Sequence, residues 1–167
     1  IYPEGDKWTV EVVEDASSNV FHKVMPFDLP GQKPGILTIG ANKAPLPAIL
    51  KAWRLGTNGW KDEELYRAEF GGKFNRLRDI EIGDVTGDGK PDMVIATHDQ
   101  GVVLVLENKN GTWQATEIDR TPNMFVHEIE IGDVDGDGKN EIYATPSEPN
   151  VQSGEQSGHI VTYRFDG

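Results

Sequence analysis

The feature that most constrains this chain is an acidic turn that occurs twice, "GDVTGDGKPD" at 83–92 and "GDVDGDGKNE" at 132–141, 49 residues apart. Three tryptophans keep nearly the same period: Trp8, Trp60 and Trp113 are separated by 52 and 53 residues. Each tryptophan opens a short strand-like run. An inner run follows ("FHKVMPFD", "RLRDIEIGD", "FVHEIEIGD"), and then two more apolar or alternating runs. Clusters of Gly, Asn, Asp and Pro divide them, so each unit holds four strand-length segments. "TNGW" and "KNGTW" carry Asn-Gly, a strong hairpin signal because both central positions of that turn want positive φ. No segment keeps a helical period over ten residues. A plain sandwich would not explain recurrence every fifty residues, whereas four antiparallel strands at that period describe a β-propeller blade. The expected fold is all-β, with about three blades in one segment, 1–167. Its repeats run about 8–58, 59–111 and 112–167.

Three blades are fewer than the four to eight typical of a closed propeller, and an arc has two open ends. The first repeat opens on an outermost strand and the third stops after its third strand at Arg164–Gly167. This is the offset by which an N-terminal strand completes a last blade. Two arrangements follow: an arc of a longer propeller, or copies of this chain that together close one ring. The missing initial methionine and abrupt ends favour the arc.

Composition narrows the partners. The net charge of −12 repels phosphate and argues against nucleic acid. Nothing approaches a run of 18 apolar residues, so no membrane span is expected. The chain has no cysteine, which excludes disulfides and thiolate metal sites. That leaves oxygen ligands.

The acidic turns supply them. Numbered from the first aspartate, the third repeat places Asp133, Asp135, Asp137 and Glu141 at positions 1, 3, 5 and 9, with the Lys139 carbonyl at 7. The second places Asp84, Thr86, Asp88 and Asp92 there, with the Lys90 carbonyl. Alternate residues of a tight loop aim oxygens at one centre, and the intervening glycines permit the bend. Five or more hard oxygens suit calcium. An EF-hand is excluded because position 12 is Ile95 or Ala144 rather than Glu, and because the flanks read as strands. Two calcium sites are expected, and the ions would make the folded form more stable by mass action. An oxygen-ligand calcium protein points to an extracellular or periplasmic, secreted location.

"GDVTGDGKPDMVIAT" and "GDVDGDGKNEIYAT" resemble FG-GAP or VCBS-type repeats, the calcium-loop blades also found in integrin α-subunit propellers. The resemblance implies that the loop joins the first and second strands of a blade and that the ion rigidifies it. Thr86 stands where the family usually has an acidic residue, which implies a weaker second-repeat site than the Asp133 one. In the first repeat Asp28 is followed by Gln32 at position 5 and no acidic residue at the last, so no calcium is expected there.

A second site is expected at the opposite ends of the strands. His22, Arg78 and His127 share one register, six positions before the first turn residue, and could converge near the mouth of the central channel on an anionic sugar, a carboxylate or a second metal. The segments 145–158 and 40–48 read as long loops on that face, suited to binding. His98 in "HDQG" reads as an idle turn residue, and Trp53 as core between blades. No nucleophile elbow, HExxH or phosphate loop is present, and no catalytic residue is assigned. The sequence supports a calcium-stabilised binding or scaffold module for carbohydrate or protein. The alternatives are the propeller part of a polysaccharide-active enzyme such as a lyase, with His22, Arg78 or His127 near the chemistry, and a repeat protein that self-assembles into a ring.

Overall fold

In the computed structural model the described residues are 2–5, 7–148 and 158–167. Every regular element among them is a β-strand. After a hairpin of β1 (Tyr2–Glu4) and β2 (Lys7–Thr9), the first blade is an antiparallel meander of β3 (Val20–Phe27), β4 (Gly35–Lys43), β5 (Ala48–Gly56) and β6 (Gly59–Ala68). The second is β7 (Phe74–Gly83), β8 (Asp92–Thr97), β9 (Val102–Lys109) and β10 (Thr112–Arg120). The third has β11 (Phe125–Gly132), β12 (Glu141–Ser147) and β13 (Val161–Tyr163). The chain is thus all-β, an arc of a β-propeller. No helix among the described residues is long and apolar enough to cross a membrane.

The strand β9 explains why the blades stack. Its run Val102–Leu106 is apolar at every position, as a strand buried on both faces must be. Val102, Leu104 and Leu106 join a core with Leu37, Ile39 and Leu50 of the first blade, while Val103 and Val105 join a second core with Ile129, Ile142 and Ala144 of the third. A fully buried side chain of this size contributes about 1.5–3 kcal/mol. The blade-to-blade contacts therefore hold the arc together. The hairpins close as Asn-Gly allows, though not identically: Asn110 and Gly111 both adopt positive φ, 58° and 90°, whereas at 58–59 only Gly59 does, at 91°.

Two expectations are revised. Residues 40–48 are not a long loop: Gly40–Lys43 extend β4, whose Ala41–Lys43 pair with Phe74–Arg76 of β7 and join the first two blades into one sheet. Buried Asn42 and Asn75 face each other there and fix the connection, donating to the Ser17, Pro47 and Leu46 carbonyls and accepting from Asn19 and Phe70. Only 44–47 remain as the turn. The strand β2, which carries Trp8, pairs with β1. Second, Trp53 is buried but lies on the outer face of the first blade, outside both cores, with Nε1 donating to Thr38 Oγ1 at 2.8 Å. The expected loop at 145–158 begins within β12, and its residues 149–157 lie outside the described residues.

Candidate metal centre and channel mouth

Both acidic loops join the first strand of a blade to the second, β7 to β8 and β11 to β12. Glycine makes the bend in each: Gly87 and Gly89 have φ of 75° and 80°, Gly136 and Gly138 80° and 87°, a region costly for other residues. In both, the first aspartate organises the loop. Asp133 accepts from the amides of Gly136, Asp137 and Gly138 at 2.7–3.1 Å, and Asp84 from Gly87 and Gly89 at 2.7 and 2.8 Å. Asn140 ties the loops together by donating to the Asp84 carbonyl at 2.9 Å. A cleft of about 420 Å³ lies between them.

The carboxylates differ. In the third blade, oxygens of Asp133, Asp135 and Glu141 lie within 4.8 Å of one another, and they form the one such cluster among the described residues. Glu141 is buried; its Oε2 accepts from Tyr143 Oη at 2.7 Å and from the Val134 amide at 3.4 Å. Arg164 reaches in from the segment after β13, with Nη2 3.3 Å from Asp135 Oδ2 and Nε 3.8 Å from Glu141 Oε1. Three carboxylates repel one another unless a cation sits among them, and the guanidinium supplies part of that charge. Asp137 stays at the edge, where its Oδ1 accepts from the Lys139 amide at 2.8 Å.

In the second blade the last carboxylate turns inward. Asp92 is buried, and its Oδ2 accepts from the Val85 amide (3.1 Å), the Thr86 amide (3.2 Å) and Thr86 Oγ1 (3.1 Å). Burial, with the nearby Asp88 charge, holds it above the usual carboxylate range, against the pull of those hydrogen bonds. Asp88 instead takes Lys90, through its amide at 2.9 Å and Nζ at 3.1 Å, and these bonds hold it below the usual range. A cation would be held there by Asp84, Asp88, the Thr86 hydroxyl and the Lys90 carbonyl, but the carboxylates do not converge as in the third blade. The donor set of the Asp133 loop fits calcium as it stands.

At the other ends of the strands the structure brings two of the three register-matched residues together around a histidine the sequence reading set aside. His98 stacks on Phe125 with ring centroids 4.1 Å apart, meets His127 edge-on at 5.6 Å and lies 6.3 Å from His22. His22 Nδ1 is 2.7 Å from the Leu77 carbonyl, and His127 Nε2 is 2.9 Å from Ser147 Oγ. Burial, then the Arg76 charge, pushes His98 down to about 4; burial also lowers His22, with Arg78 and Arg76 adding to it. Arg76 is held in a fork by Asp99, with Nη2 2.6 Å from Oδ1 and Nε on Oδ2. Arg78 does not join the rings; its Nη2 lies 3.8 Å from Glu128. His98 Nδ1 and Arg78 Nε are buried without a hydrogen-bond partner. A charge ladder runs just beside the rings: Lys23 of β3 bonds Asp79 (2.7 Å) and Glu81 (2.5 Å), and Asp79 Oδ2 accepts from the Ile129 amide at 2.8 Å. The signal for His98 was its place: it directly follows β8, at the level where β3 and β11 begin.

Residues 84–144, from the first residue of one acidic loop to β12 beyond the other, match the family described as FG-GAP-like repeat. A search of curated proteins found no match. This stretch of the chain is therefore an FG-GAP-type repeat, in line with the resemblance carried by its two acidic turns.

Proposed function

We propose that this FG-GAP-type chain is a calcium-stabilised β-propeller module that acts extracellularly or in the periplasm as a binding or scaffold unit. The observation that carries the reading is the convergence of Asp133, Asp135 and Glu141 within 4.8 Å on a loop of that repeat type. The ion's role is structural. It neutralises carboxylates that close the turn between β11 and β12, and so stabilises the folded arc. The Asp84 loop takes a second, weaker ion. Ligand recognition falls to the opposite mouth, where His22, His98 and His127 with Phe125 offer an aromatic, hydrogen-bonding surface beside Arg78. That chemistry suits a carbohydrate or a protein carboxylate.

The test is calorimetric titration of chelator-treated protein with calcium, paired with thermal melts. Expected are one tighter and one weaker binding event and a melting temperature that rises with calcium. Absence of heat and of any shift would overturn the reading. For the mouth, a glycan array read with the parent protein and with His127→Ala separates a binding module from a structural plug. Binding lost in the variant supports the module, and an array blank for both counts against it.

A further inference from the structure

The first repeat keeps the place of the acidic loop without its charges. Asp28 opens the turn between β3 and β4, but positions 3 and 5 are Pro30 and Gln32, where the second repeat has Thr86 and Asp88. Those two residues instead line a cleft of about 390 Å³ between the first and second blades. Both blades have their four strands described, β3–β6 and β7–β10. Three turns supply the walls: β3–β4 on one side, the end of the Asp84 loop on the other, and the β9–β10 hairpin. The volume lies within the range of small-ligand sites, roughly 300–1,000 Å³.

Part of the lining is apolar. Leu29 is buried, and Pro30 and Pro91 present rings with no N–H. Trp113 packs against the core that the two blades share and stays partly exposed in the cleft. Its Nε1 has no acceptor among the described residues, whereas Trp53 Nε1 is taken up by Thr38 Oγ1. An indole N–H so placed is a donor open to a ligand.

The rest is carboxamide. Gln32 Oε1 accepts from Arg54 Nη2 at 2.6 Å, and Asn108 Oδ1 from the Gly111 amide at 2.8 Å. With its oxygen committed, each amide is fixed in orientation and keeps its NH2 as a donor. The Asn110 side chain has no protein partner among the described residues, and the hairpin turn holds its backbone at a φ of 58°. Lys90 is the one ionisable residue in the lining, and its Nζ is 3.1 Å from Asp88 Oδ2. The cleft therefore offers oriented hydrogen-bonding groups and no unmatched charge.

We infer that this cleft is a binding site for a neutral saccharide, separate from the histidine mouth at the opposite ends of the strands. A pyranose ring has a face of C–H groups, which an indole and two proline rings can cover and free of water. Its hydroxyls lose their hydration on entering and need replacement partners. The Gln32 and Asn108 donors, the Trp113 N–H and both groups of Asn110 supply these at the edge of the apolar surface. An acidic sugar fits less well, because the one cation present is already paired with Asp88 and the chain carries a net charge of −12. The repeat that lost its calcium ligands thus gained the wall of a sugar site.

The test reads the 167-residue chain, in calcium, on an array of neutral hexose and N-acetylhexosamine oligosaccharides, and then titrates the strongest binder by calorimetry. Asn110→Asp keeps the turn chemistry, since Asp-Gly serves the same hairpin as Asn-Gly, but exchanges the NH2 donor for a charge. That variant and Gln32→Ala are each expected to weaken binding about tenfold, the loss of one good hydrogen bond, with circular dichroism spectra like the parent's. Trp113→Phe, which keeps an aromatic ring on the core but removes the N–H, should weaken it as well. His127→Ala should leave this binding unchanged. An array blank for the parent, parental affinity in both Asn110→Asp and Gln32→Ala, or binding of a polyproline peptide in place of any glycan would each overturn the site. Signals that follow His127 belong to the mouth and signals that follow Asn110 and Gln32 to the cleft, so the two readings fail separately.

Discussion

The Asp84 and Asp133 loops have almost the same backbone and nearly the same sequence, yet their carboxylates face different things. In both, glycines at positive φ turn the chain and the first aspartate gathers loop amides. At position 3, however, Thr86 turns its hydroxyl onto Asp92 and keeps that carboxylate within the protein's own hydrogen bonds. Asp135 cannot donate, so it leaves Glu141 open toward the loop centre and takes up Arg164 instead. The repeat thus sets the shape of an acidic loop, and one side chain decides whether its charges converge.

The largest effect that would break this comparison is on calcium itself. Asp133→Asn removes the charge from a cluster oxygen and replaces one of the two oxygens that accept from the loop amides with a donor. It is expected to abolish most of the calcium-induced stabilisation, which for one site at a hundredfold excess over its dissociation constant is about 2.7 kcal/mol. Asp84→Asn should remove only the smaller share, and thermal melts with and without chelator compare the two. If both variants lose the same increment, the loops are equivalent and the distinction drawn at position 3 is wrong.

Converting one loop toward the other comes next. Thr86→Asp takes away the donor to Asp92 and adds a carboxylate. It should tighten the weaker of the two calorimetric binding events while lowering stability in chelator, because like charges are then uncompensated. Smaller again is Arg164→Ala. The guanidinium is half exposed and screened, so the calcium-free melt should fall modestly. The rise on adding calcium should grow, because the ion no longer competes with a resident positive charge.

The smallest effect separates the loops from the other end of the strands. His98 is held neutral, with its folded value near 4 against 6.5 for an ordinary histidine. The unfolded chain therefore takes up a proton first as the pH falls. Its contribution is fully present above 6.5, and declines as the pH drops toward 4. His98→Gln should flatten that part of a stability-against-pH curve in chelator and leave the response to calcium at neutral pH unchanged. A curve as steep as the parent's would place the acid sensitivity elsewhere.

Much of this was legible along the chain, and the reasons are local. Fifty-residue periodicity, Asn-Gly turns and the unbroken apolar run of β9 identify blades because strand length, turn chemistry and two-sided burial act on neighbouring residues. The acidic loops were legible because glycine spacing and alternating oxygens are properties of nine consecutive positions. What was misread depends on distance in sequence. The segment 40–48 looked like a loop because its use as a strand rests on β7, whose paired residues lie more than thirty positions later. His98 looked idle because its neighbours His22, Phe125 and His127 come from the two blades on either side of its own. Arg78 has the register of the two histidines but not their company, because its guanidinium turns toward Glu128.

The sequence by itself determined the all-β repeat, the position of each acidic turn and the donor set that fits calcium. Tertiary structure decided which carboxylates converge, that Arg164 stands among them, and that histidines of three blades share one mouth. The division has a physical cause. Backbone turns and strand periodicity are set by steric and hydrogen-bonding preferences within a few residues. Charge compensation and burial depend on whichever side chains the stacking of blades brings together.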